Sequence, residues 1–228
     1  MPYRKVIFAN KEIYHIINRG VASEEIFLNK RDYERALEVI DYYQYNPSLS
    51  FSHYNRMLTG EKKEYFKGLK QNNAPIVEIL AYCLMPNHFH LLLRQLQDKG
   101  ISIFLRNLQN SYAKYFNTKN RRLGPLFQSM FKAIRVETEE QLIHLSRYIH
   151  LNPSSAYLVE FEKMETYKWS SLPEYVGLKE HGLSSPDFVL GLDYFRNHKE
   201  TYRKFVLNRA EYQRNLQKIK RLTLERNI

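Results

Sequence analysis

With one cysteine in 228 residues, Cys83, the chain can form no intrachain disulfide, and a reducing compartment is expected. Cys83 stands between Tyr82 and Leu84, the setting of a small buried hydrophobe rather than a nucleophile. No apolar run approaches the roughly 20 residues of a membrane span, and Met1-Pro2-Tyr3-Arg4-Lys5 leads into no apolar core of a signal peptide. The expected location is the cytoplasm, with no membrane partner. Internal repeats and low-complexity tracts are missing as well. The length fits one sizeable core with an appendage, not two full domains. Acidic residues are short: 24 Asp and Glu against 35 Lys and Arg leave a net charge of +11. Such an excess suggests a polyanionic partner, nucleic acid first among them.

Aromatic residues are plentiful, at 14% with 18 Tyr, and many stand beside cations, as in Tyr112-Ala113-Lys114-Tyr115. Aromatic faces interleaved with cations suit unpaired bases along a phosphate backbone. Packing in a core accounts for most of them equally well.

The most informative segment is Asn87-His88-Phe89-His90-Leu91, inside an otherwise apolar stretch over 77–93. That stretch reads as two buried strands, 77–85 and 88–94, meeting at Pro86-Asn87. Side chains alternate along a strand, so His88 and His90 share a face about 7 Å apart, while Phe89 enters the opposite core. Two imidazoles on one face can hold a metal ion; the alternative is a pair of core histidines satisfied by hydrogen bonds.

Elsewhere, residues 12–18 alternate as a first strand ending at Arg19-Gly20, and Asn29 can cap a helix running to about Tyr45. Residues 46–75 turn polar around a short helix at 62–69 and read as an insertion. Ile101, Leu105, Leu108 and Tyr112 recur at helical spacing, in a helix ending near Asn117. A basic turn, Lys119-Asn120-Arg121-Arg122, precedes a strand over 129–136 that places Lys132 and Arg135 on opposite faces. Thr138 opens a further helix that Pro153 is expected to stop at Asn152. The order β-α-β-β-α-β-α describes an α+β fold: a ferredoxin-like or RRM-like antiparallel sheet with helices on one face. Residues 1–176 form this domain. Residues 177–228 form a basic extension, helical over 194–226, whose Arg203, Lys204, Arg209, Arg214, Lys218, Lys220 and Arg221 either contact phosphates or line a solvated helix.

His144, Tyr148 and Asn152 fall four residues apart, on one face of the helix before Pro153. A tyrosine and an amide oxygen one turn apart can present a nucleophile and a metal ligand together, although a helical tyrosine is more often packing.

These pieces together resemble the single-tyrosine HUH transposases, most closely the REP-associated tyrosine transposases. The resemblance covers most of residues 14–175. It rests on Tyr14-His15-Ile16-Ile17-Asn18-Arg19-Gly20, Met85-Pro86-Asn87-His88-Phe89-His90-Leu91-Leu92, Ser111-Tyr112-Ala113-Lys114-Tyr115-Phe116-Asn117, Gly124-Pro125-Leu126-Phe127-Gln128, Arg147-Tyr148-Ile149-His150-Leu151-Asn152-Pro153 and Tyr167-Lys168-Trp169-Ser170-Ser171. It implies that His88 and His90 bind a divalent metal, Mg²⁺ or Mn²⁺, and that Tyr148 attacks a DNA phosphate. Asn152 would complete the metal site, where many transposon-encoded relatives have Gln. Tyr112 and Tyr115 sit in a matching motif and are the rival nucleophiles. The implied partner is single-stranded or hairpin DNA, cut and rejoined through a 5′-phosphotyrosine by a monomer or a homodimer. Arg19, Arg121, Arg122, Lys132, Arg135, Arg203, Lys204, Arg214 and Lys218 are the candidate DNA contacts.

Two readings from other classes remain. A non-catalytic RRM-like nucleic-acid-binding protein would display aromatics where His88 and His90 sit. A metal-dependent phosphodiesterase using water would need more carboxylates than Glu78 and Asp98, the two near the motif.

Overall fold

Residues 13–19 are β-branched and aromatic along most of their length, and they form the strand at the heart of the sheet. The structure, a computed structural model, describes residues 6–180 and 182–208. Strand β1 (Ile13–Arg19) lies between β3 (His88–Gln95) and β4 (Lys132–Val136), and β2 (Val77–Met85) pairs with β3 as the outer member of the central hairpin. All pairs are antiparallel and the order is β2-β3-β1-β4, the ferredoxin-like arrangement.

Helices α1 (Lys30–Tyr43) and α4 (Gly100–Lys119) cover one face of the sheet. Asn29 caps α1, its side chain accepting from the Asp32 amide at 3.3 Å. The polar segment between α1 and β2 folds as two helices, α2 (Phe51–Arg56) and α3 (Thr59–Asn72), where one short helix was expected. Ser50 caps α2, and Phe51 anchors it by packing edge-on against Tyr42. So short an element carries little hydrophobic periodicity of its own.

The other face of the sheet is covered too, so the expected one-sided layer is a central one. Helix α5 (Glu139–Ser155) lays Leu142, Leu145, Tyr148 and Ile149 against Ala81, Cys83, Met85 and Leu92. This second layer explains why β2 and β3 read as continuous apolar runs rather than as alternating ones. Pro153 does not stop α5, which continues to Ser155. The amide it lacks would have served the Ile149 carbonyl, and the helix runs only two residues beyond the proline.

Beyond α5 the chain folds back over the same layer through α6 (Leu172–Tyr175), α7 (Pro186–Leu190) and α8 (Lys199–Leu207). Helix α8 begins later than expected because Arg196 and Asn197 take left-handed φ of 49° and 63°, which a helix cannot include. Its Tyr202, Phe205 and Val206 are buried with α5. Within α5, His150 bonds the Tyr202 hydroxyl and the Ser171 hydroxyl, each at 2.7 Å. Ser171 in turn meets the Tyr82 backbone on β2. The Tyr-Ile-His-Leu-Asn-Pro and Trp-Ser-Ser segments are thus pinned to each other and to the sheet.

Candidate active site

The cross-strand register settles which side chains share the α5 face of the sheet. Arg19 lies opposite His88, and Ile17 opposite both His90 and Lys132. His15, Ile17, Arg19, His88, His90 and Lys132 therefore point the same way, toward α5.

His88 and His90 converge there, with Nε2 of one 3.1 Å from Nε2 of the other. His90 is fully buried and His88 nearly so. Burial pushes His88 down to about 3, with the Arg19 guanidinium adding to the shift. His90 is pushed well below the ordinary value, by burial first and then by His88, His15 and Arg19. Both rings are therefore neutral at neutral pH, the form that ligates metal. The outer nitrogens are also engaged: His88 Nδ1 meets Asn87 Oδ1 at 2.6 Å and His90 Nδ1 meets His15 Nε2 at 3.0 Å.

Tyr148 stands directly beside them. Its ring centroid is 5.8 Å from that of His90 and 6.3 Å from that of His15, edge-on to both. Asn152, one turn further along α5, donates from Nδ2 to the Tyr148 carbonyl at 3.0 Å. The structure gives it no hydrogen bond to either histidine. The rival tyrosines are on the far side of the sheet: Tyr112 donates to the Ile26 carbonyl at 2.5 Å and Tyr115 to Asp32 at 2.9 Å.

The hairpin turn is held from outside by the loop after β1. Gly20 donates to the Asn87 carbonyl at 2.9 Å, and the Ile26 and Phe27 amides both reach the Pro86 carbonyl. A Cβ at Gly20 would lie 2.2 Å from the Glu24 carbonyl oxygen, so only glycine fits. The 124–128 segment pairs alongside, Val21 donating to Leu126 and Gln128 to Arg19. Three separated motifs thus meet at one corner of the sheet and fix Arg19, Asn87 and His88 together.

The candidate DNA contacts divide. Arg19 is half-buried next to His88, and Lys132 is exposed on the same face. Arg121 is exposed in the turn after α4 with φ 51°. Arg122 pairs with Glu24 and donates to the Pro125 carbonyl at 2.8 Å. Arg135 lies on the opposite face from Lys132, paired with Glu12 at 2.9 Å. Arg203 is clamped by both oxygens of Glu165 at 2.5 and 2.8 Å, whereas Lys204 is exposed. Arg209, Arg214, Lys218, Lys220 and Arg221 lie outside the described residues.

Sequence reasoning missed a second cationic surface. A groove of about 680 Å³ on the α1–α4 side is lined by Arg31, Arg35, Lys114 and Lys119 among amides and hydroxyls such as Asn55 and Asn110, with no carboxylate in its lining. The Arg35 guanidinium lies about 5 Å from the ring centres of both Phe51 and Tyr115. The clustered Lys114-Tyr115 and Arg31 hinted at it, but only folding brings α1, α2 and α4 together.

Comparison with known proteins bears on this arrangement. The model of the family described as "Transposase IS200 like" matches residues 50–152, which include both histidines, Tyr148 and Asn152. Among solved structures, a REP-associated tyrosine transposase bound to a REP hairpin shares the fold, with a TM-score of 0.55 and 14% identity over 81% of this chain and 91% of that one. A Deinococcus radiodurans protein assigned as a transposase aligns at a TM-score of 0.33 and 17% identity, over 65% of this chain and 95% of that one. No curated protein matches the sequence. The match spans the His-hydrophobic-His strand and the tyrosine helix, so over residues 50–152 the chain is similar to the IS200-like transposase family.

Proposed function

We propose that this protein is a transposase that cuts and rejoins single-stranded DNA beside a hairpin, with Tyr148 as the nucleophile and His88, His90 and Asn152 as ligands of Mg²⁺ or Mn²⁺. The observation that carries the reading is the meeting of three groups on one sheet face: two neutral imidazoles whose Nε2 atoms face each other at 3.1 Å, a tyrosine edge-on to them, and Arg19 alongside. Adjacent ligand atoms of an octahedron with bonds of 2.0–2.1 Å lie about 2.9 Å apart, so the histidine spacing fits neighbouring positions around one cation. The Asn152 Oδ1 is the oxygen this chain would add.

Each residue then has a task. Free phenol titrates at about 10, so Tyr148 must lose its proton to solvent as its oxygen bonds to phosphorus. The bond from phosphorus to the 3′ oxygen breaks in line, and that oxygen leaves with a proton. The tyrosine keeps the 5′ phosphate as an ester, which preserves the bond energy for rejoining. A bound divalent cation would supply charge neutralisation at a non-bridging phosphate oxygen. Arg19 and Lys132 would hold the neighbouring phosphates. Hairpin DNA is the partner we take because the solved REP-associated neighbour is described as bound to one, and REP-associated is the branch this chain's motifs resemble. In the groove lined by Arg31, Arg35, Lys114 and Lys119, Arg31 and Lys114 offer cations for the stem, while Lys119 is already paired with Asp32.

A non-catalytic RRM-like role is disfavoured by α5, which covers the sheet face where such modules stack bases. The test is incubation with a hairpin carrying an unpaired flank, with and without Mn²⁺. A covalent protein–DNA adduct that needs both the cation and the unpaired flank supports the reading. Cleavage without adduct would point to water as nucleophile, and binding without cleavage to the non-catalytic role.

A further inference from the structure

The two candidate ligands do not stand alone. Asn87, His88, His90 and His15 form one continuous row of side-chain contacts: Asn87 Oδ1 to His88 Nδ1 at 2.6 Å, His88 Nε2 to His90 Nε2 at 3.1 Å, and His90 Nδ1 to His15 Nε2 at 3.0 Å. The amide orientation of Asn87 is fixed, because its Nδ2 donates to the Ser23 carbonyl at 3.2 Å. Oδ1 can only accept. His88 must therefore carry its proton on Nδ1, and its Nε2 presents a lone pair toward His90.

His90 has two ways to meet that lone pair. With its proton on Nε2 it donates to His88, accepts from His15 at Nδ1, and the row is a closed chain of hydrogen bonds. With its proton on Nδ1 it donates to His15, and two lone pairs face each other at 3.1 Å, an arrangement stable only around a cation. The second state requires His15 to accept at Nε2 and so to carry its own proton on Nδ1. A neutral imidazole can make that change; an apolar side chain cannot. The ring planes of His15 and His90 lie within 13° of parallel, with centroids 5.3 Å apart. His15 is wholly buried on β1, one strand over from His90. His15 meets His90 at Nδ1, whereas His88 meets it at Nε2, so His15 stands behind the ligand rather than beside it.

We propose that Asn87 and His15 are the positioning residues of this site: Asn87 fixes the His88 tautomer, and His15 exchanges its own tautomer so that His90 turns a lone pair toward a divalent cation. This rests on the metal-binding part of the reading above. The exchange moves one proton from Nε2 to Nδ1 on each of two rings and releases none. Hydrogen-bonded partners behind metal-ligating histidines set ring orientation and basicity, and their loss weakens metal binding about 10- to 100-fold.

The experiment is ¹H–¹⁵N correlation of the imidazole nitrogens in the full chain, with Cd²⁺ as a diamagnetic probe, paired with Mn²⁺ calorimetry on variants. Without cation, His88 should carry its proton on Nδ1 and both His90 and His15 on Nε2. With Cd²⁺, His90 and His15 should switch together to Nδ1. His15→Phe, close in shape but unable to accept, should bind Mn²⁺ about tenfold more weakly or worse, whereas His15→Gln, whose amide accepts or donates by turning over, should recover most of the affinity. Asn87→Ala should lose the fixed His88 tautomer. If the native protein binds neither ion, the metal reading itself fails. If it binds while His15 keeps one tautomer throughout and His15→Phe binds Mn²⁺ as well as the native chain, the metal reading stands and the positioning role is overturned.

Discussion

The phenol ring of Tyr148 stands at 84° to the imidazole of His90, with centroids 5.8 Å apart. One ring comes from a helix and the other from a central strand far earlier in the chain. What fixes their relation is the packing of α5 on β2 and β3 through Leu145, Ile149 and Cys83, locked by the His150–Tyr202 and His150–Ser171 hydrogen bonds. The scaffold for the candidate nucleophile is therefore the second layer of the fold and not the sheet alone.

His88→Ala or His90→Ala should lower Mn²⁺ affinity at least about tenfold and abolish cleavage, with hairpin binding nearly unchanged. Isothermal calorimetry and filter binding on the same preparations separate the two effects. Unchanged Mn²⁺ affinity in the double variant would leave the pair as core histidines.

Acid should destabilise the fold well before carboxylates matter. His88 and His150 are held near 3 and His90 lower than its ordinary value of 6.5, each chiefly by burial. The unfolded chain takes up these protons as pH falls through about 6.5, whereas in the folded chain His88 and His150 stay neutral until about 3. Stability is thus full above that upper value and declines as pH drops toward the lower one, each histidine contributing up to about 1.4 kcal/mol per pH unit within the window. Urea midpoints at neutral pH and at about pH 4.5 measure it; equal midpoints would contradict the burial of these rings.

Gly20→Ala should destabilise the protein by about 1–3 kcal/mol, because the added Cβ meets the Glu24 carbonyl oxygen. The displaced loop holds Asn87, so Mn²⁺ affinity should fall in the same variant. Denaturant melts with calorimetry would show both, and a stable variant with weakened Mn²⁺ binding would place the effect at the site alone.

The strands and principal helices were legible because their signals are local. The alternation of Ile13 to Arg19, the Asn29 cap and the Pro86-Asn87 turn each need only a few neighbours to be read. Local signals misled where context decides. Pro153 looked like a stop, yet α5 runs on to Ser155. Arg203, a candidate phosphate contact from sequence, is held by Glu165, a partner that sequence spacing does not show. The His88–His90 pair was visible from strand alternation, and Tyr148 with Asn152 from helical spacing and family resemblance. The part His15 plays was not, because its partner lies 75 residues away in the sequence and only the β1–β3 register brings them together. The cationic groove was hidden for the same reason.

That groove and the tail charges make different predictions for salt dependence. Replacing Arg31 and Lys114 with Ala should flatten the slope of log affinity against log salt for hairpin DNA by about 0.9 for each phosphate that is no longer neutralised. Arg203→Ala should leave the slope unchanged, since its charge is already matched by Glu165. Filter-binding titrations at several salt concentrations decide it; a slope altered only by Arg203→Ala would move the stem contacts to the C-terminal segment.

The most direct measurement of the central claim is to trap the adduct on an unpaired-flank hairpin with Mn²⁺, digest the protein, and locate the DNA-bearing residue by mass spectrometry. Native protein should carry the nucleotide on Tyr148, and Tyr148→Phe, which removes one oxygen and little packing, should keep its fold and form no adduct. An adduct on Tyr112 or Tyr115, or one that persists in Tyr148→Phe, would contradict the account.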